Sequence, residues 1–73
     1  MAIDFAALLT DDQKKSLIEQ RIAQFAAEGY QHQLNLDAAK AVGDEPLEAS
    51  SKKAIEDLSK AIEAHQEELK KLG

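Results

Sequence analysis

One proline punctuates this chain, at position 46, and it stands in the sequence's only strong break, Gly43-Asp44-Glu45-Pro46. Glycine suits the left-handed position just past a helix, and proline suits the first turn of the next helix. On either side of this break Ala, Leu, Glu, Gln and Lys dominate, and only seven Val, Ile and Thr residues are available for strands. The chain is therefore expected to be all-α: two long helices folded back on each other as an antiparallel hairpin.

The ends of the helices carry their own signals. Thr10 followed by Gln13 has the form of a capping box, with Asp11 and Asp12 in the first turn against the helix dipole. These residues predict a first helix over residues 11–42, a turn at 43–46, and a second helix over 46–72 that ends in Lys70, Lys71 and Gly73. Residues 1–9 hold Phe5, Leu8 and Leu9, enough for one short helical turn folding back on the hairpin. The whole of residues 1–73 reads as one hairpin domain.

In the second helix Ile55, Ile62 and Leu69 recur at seven, as do Leu58, His65 and Leu72, with Ala54 and Ala61 beside them. The first helix answers with Ile18, Ile22, Phe25, Gly29, His32, Leu36 and Ala39. Folding about the turn pairs residues whose numbers sum to about 90. Phe25 then meets His65, His32 meets Leu58, and Gly29 meets Ile62, where a small residue is expected to admit a large one closely.

The first helix has a second apolar stripe. At about 100° per residue, Ala23, Ala27, Tyr30, Leu34, Ala38 and Ala41 fall on the side opposite the seam. A two-helix hairpin covers only one of the two faces. Of the 32 apolar residues 13 are alanine, so the material for a monomeric core is thin. The six stripe residues are the expected interface of a homodimer, in which first helices pack antiparallel and make a four-helix bundle.

Several chemistries have no residues to carry them. With no cysteine there is no disulfide, thiolate metal site or cysteine nucleophile. His32 and His65 share a layer with no second ligand. Glu28 lies four residues before His32, but a carboxylate at that spacing is commonplace on a surface helix, so no metal is expected. As seam residues the two histidines are expected to be hydrogen-bonded and to make association sensitive to pH. Ser50, Ser51 and Ser59 lack a histidine within reach, and the three glycines are too dispersed to cradle a phosphate. No catalytic residue and no cofactor is expected, and the protein reads as non-enzymatic. A net charge of −5, with Lys14-Lys15, Lys52-Lys53 and Lys70-Lys71 as isolated pairs among acids, argues against nucleic acid as a partner. The N-terminus lacks a basic region and a long apolar run, so a cytoplasmic protein without a membrane segment is expected.

The stretch Asp4-Phe5-Ala6-Ala7-Leu8-Leu9-Thr10, with Gln13-Lys14, leads into Gln24-Phe25-Ala26-Ala27-Glu28-Gly29-Tyr30-Gln31-His32 and, near the other end, His65-Gln66-Glu67-Glu68-Leu69. In this order the motifs resemble small, uncharacterised proteins of tailed phages of actinobacteria, over nearly the whole chain. The resemblance implies a phage accessory protein and transfers no functional residue. Combined with the absence of a catalytic constellation, it leads to a protein–protein interaction module that binds a host or phage protein through an exposed helix face. The alternative is a structural or assembly component of the virion's head or tail. Mass spectrometry of purified particles separates the two, since only a virion component would be found in them.

Overall fold

The computed structural model describes residues 2–73; Met1, part of the expected N-terminal turn, lies outside them. Two long helices, α1 (Asp11–Val42) and α2 (Glu45–Leu72), pack against each other, preceded by a short 3-10 turn over Phe5–Leu8. No strand occurs among the described residues.

Local chemistry sets each helix end. The Thr10 side chain accepts from the Gln13 amide at 3.1 Å, while the Thr10 amide donates to Gln13 Oε1 at 2.9 Å. This reciprocal pair satisfies two of the amides that a helix start leaves without partners. At the other end Gly43 takes φ 72°, ψ 30°, and its amide donates to the Ala39 carbonyl. The same carbonyl accepts from Asp44 N at 2.9 Å. Asp44 then caps the next helix through its side chain, which accepts from Leu47 N at 3.1 Å. α2 thus starts at Glu45, one residue before the proline, because Asp44 supplies the cap that proline cannot.

The seam forms along the heptad positions. Ile18, Ile22, Phe25, Gly29, His32 and Leu36 of α1 are half-buried, as are Ile55, Leu58, Ile62, His65, Leu69 and Leu72 of α2. Only Ala39 and Ser51 are fully buried among the described residues, and their numbers sum to 90, the layer next to the turn. Ser51 continues the Leu58, His65, Leu72 series back by seven. As a polar residue it gave no apolar signal in the sequence.

At the middle of the hairpin Phe25 and His65 meet edge to face, with ring centroids 5.1 Å apart. Arg21 joins them. Its Nε donates to His65 Nε2 at 3.0 Å, and its guanidinium carbon lies 5.5 Å from the Phe25 ring centroid. His65 Nδ1 is 2.7 Å from the Ala61 carbonyl. The carbonyl can only accept, so Nδ1 carries the proton and Nε2 is the lone pair that receives Arg21.

One expectation is corrected here. Gly29 does not seat Ile62 closely: a Cβ built at Gly29 meets nothing within 4 Å. A groove of about 190 Å³ remains there, bordered by Gly29, Tyr30, Gln33, Ile55, Ser59 and Ile62. On the surface of α2, Lys52–Glu48 and Lys60–Glu56 pair at 3.1 Å at i,i+4 spacing, while Lys71 pairs with Glu68 and Lys70 with Glu67 at i,i+3. The exposed pairs Lys53–Asp57 and Lys60–Glu56 raise both lysine pKa values, chiefly through the hydrogen bond to the carboxylate. Such solvated pairs contribute little to stability.

Candidate interaction surface

The outer face of α1 is an exposed apolar surface that α2 leaves uncovered. The apolar residues of α2 gather on one side, whereas those of α1 nearly cancel around its circumference. Opposed faces produce that cancellation: one face is the seam and the other points away from α2.

All six residues expected at the interface, Ala23, Ala27, Tyr30, Leu34, Ala38 and Ala41, are exposed in the single chain. They form a continuous line of about 27 Å along the helix. Tyr30 is 62% and Leu34 50% exposed, at the middle of that line with two alanines on each side. Between Gln20 and Ala41 the only charge on this face is Asp37, in a chain that is 32% charged. Charge is depleted around these two large apolar side chains, as it is at the cores of protein interfaces.

Neither histidine lies on this face. Both stand in the seam within the hairpin. The pH sensitivity expected of association therefore has no imidazole on the outer surface to carry it.

Two further exposed apolar groups lie outside the stripe. At the open end of the hairpin the N-terminal turn leaves Phe5 and Leu8 71% and 70% exposed, with Ile3 and Leu17 nearby in sequence and also exposed. This segment does not cover the part of the stripe nearest Ala23. Its Ala6 and Leu9 instead line a hollow of about 470 Å³ with Leu17, Ile18, Arg21 and Leu72. At the turn end Val42 is 77% exposed and Leu47 is partly exposed. Val42 lies one residue from the cap glycine, where its apolar side chain has no neighbour in the heptad pattern.

Between the hollow and the stripe lies a shallow depression of about 670 Å³ lined by Leu17, Gln20, Arg21, Ala23, Gln24 and Ala27. Arg21 is its one charged residue. Its Nε is engaged with His65, and it has no ion-pair partner among the described residues.

No group of three or more His, Asp or Glu residues placed to hold a metal ion occurs among the described residues, and no described helix is long and apolar enough to cross a membrane. In comparisons with known proteins, no family model, no curated protein and no solved structure matches the chain significantly.

Proposed function

We propose that this chain is a non-enzymatic protein–protein interaction module that works as a homodimer, built through the outer face of α1. The observation that carries the proposal is the surface left open by the single hairpin. One chain exposes 5593 Å², whereas a compact protein of 8.0 kDa exposes roughly 4,500 Å². The excess of roughly 1,100 Å² compares with the ~800 Å² that each partner buries in a standard interface. The radius of gyration, 16.5 Å, likewise exceeds the ~11 Å of a compact chain of this length.

Because the two apolar faces of α1 oppose each other, a dimer through the outer face sets four helices in one row, α2–α1–α1–α2. The four-helix bundle expected from the sequence is thereby opened out flat. A two-fold axis normal to that row keeps each flank of the hairpin on its own side. Both Gly29 grooves then face the same way, and they are the apolar recesses left for a further protein. The motif resemblance supports the role of phage accessory adaptor for such a dimer, with a host or phage protein as its target.

Sedimentation of the wild type beside Leu34→Glu tests the proposal. A charge at Leu34 would be desolvated in the interface but stays in water in the single hairpin. The expected outcome is a wild-type dimer and a monomeric variant of unchanged helix content by circular dichroism. A variant that dimerises as tightly as the wild type overturns the assignment of this face.

A further inference from the structure

We infer that the depression beside Leu17 and Ala23 is a socket for the turn end of a second copy, which seats its Val42 there; this rests on the dimer proposed above and specifies its direction and register. The exposed large apolar residues fall into three groups along the molecule: Ile3, Phe5, Leu8, Leu9 and Leu17 at the open end, Tyr30 and Leu34 in the middle, and Val42 and Leu47 at the turn end. One antiparallel two-fold lays open end on turn end and middle on middle, so every group gains a partner. A parallel pairing would leave turn against turn and open end against open end.

The stripe fixes the register. Its six residues read Ala, Ala, Tyr, Leu, Ala, Ala, and the register that covers all of them brings together positions summing to about 64. Ala23 then faces Ala41 of the second copy, and Tyr30 faces its Leu34. In the same register Val42 of the second copy arrives level with position 22, the middle of the depression that spans Leu17 to Ala27. Around the helix, Leu17 and Val42 both lie about 100° from the centre of the outer face, in the same sense. A two-fold normal to the helix pair preserves that sense, so Leu17 of one copy and Val42 of the other stand on one side of the row, where the depression opens.

Charge is compatible with shape: Asp44 and Glu45 follow Val42, Glu48 being held by Lys52, and the only charge lining the depression is Arg21. The N-terminal turn, with Phe5 and Leu8 exposed, stands at that same end. The adjoining hollow, lined by Ala6 and Leu9 of that segment, shares Leu17 and Arg21 with the depression.

The absence of cysteine makes the test direct. Positions 23 and 41 lie about 27 Å apart on one helix, far beyond disulfide reach, so a chain carrying both Ala23→Cys and Ala41→Cys can bridge only to another chain. Under mild oxidation the double variant is expected to form covalent dimers, and each single variant is expected to stay uncrosslinked. Val42→Ser, at a site already exposed in the single chain, is expected to weaken wild-type association about tenfold or more without loss of helix. Single variants that crosslink to themselves would show a parallel dimer and overturn the socket while leaving the dimer standing. A dimeric double variant that does not crosslink, or a Val42→Ser that associates like the wild type, overturns it equally. A wild type that never dimerises removes the socket together with the reading beneath it.

Discussion

Gly29 weakens α1 without any steric need for glycine. Its backbone is helical, and a Cβ there would meet no atom within 4 Å. In a helix interior glycine costs about 0.5–1 kcal/mol relative to alanine, through the entropy lost on ordering it. Gly29→Ala is accordingly expected to raise thermal stability by a few degrees at fixed protein concentration, measured by circular dichroism. A fall in the midpoint would mean that the groove closes in solution and that Ile62 moves onto the glycine. Arg21 is the other residue whose role the side chains reveal. It ties His65 across the hairpin and lies against Phe25 four residues along its own helix. The layer sum that placed Phe25 opposite His65 puts Arg21 within one turn of them. Nothing in the sequence distinguishes a cation over a ring from a solvated one, so its contact with both rings had to be seen.

At the scale of the element, the two helices were legible because their punctuation is chemical and local. Thr10 with Gln13, Gly43 and Asp44 each satisfy backbone groups through neighbours within a few residues, and such contacts follow from sequence order alone. Thr10→Ala removes one half of the capping box and is expected to destabilise the fold by about 1 kcal/mol, read as a lower denaturant midpoint with an unchanged slope. The heptad seam was legible for the same reason, since apolar recurrence at seven has one geometric meaning. Ser51 and the Gly29 groove escaped it. A serine in a heptad position carries no hydrophobic signal, and residue size in a layer does not reveal how far two backbones stand apart. The outer stripe was legible as a pattern on α1. Its continuation into the depression was not, because Leu17, Gln20, Arg21 and Gln24, which flank the stripe on the same helix, belong to neither apolar series.

For the whole molecule the decisive fact is how little one hairpin hides. Extents of 50 × 27 × 14 Å describe a slab only one helix thick, with two fully buried residues among those described. Without a disulfide, a chain this small needs unusually regular packing or a partner to reach ordinary stability. The seam supplies the first, and the proposed dimer through the charge-poor outer face of α1 would supply the second. If the chain is half of an assembly, stability and association are linked, and the unfolding midpoint rises with protein concentration. The central claim is most directly tested by light scattering across a concentration series that brackets micromolar. The account predicts a mass that rises to a plateau of about 16 kDa, twice the 8.0 kDa of one chain. A mass that stays at 8.0 kDa throughout would contradict it, and Tyr30 and Leu34 would then stand open for a different protein.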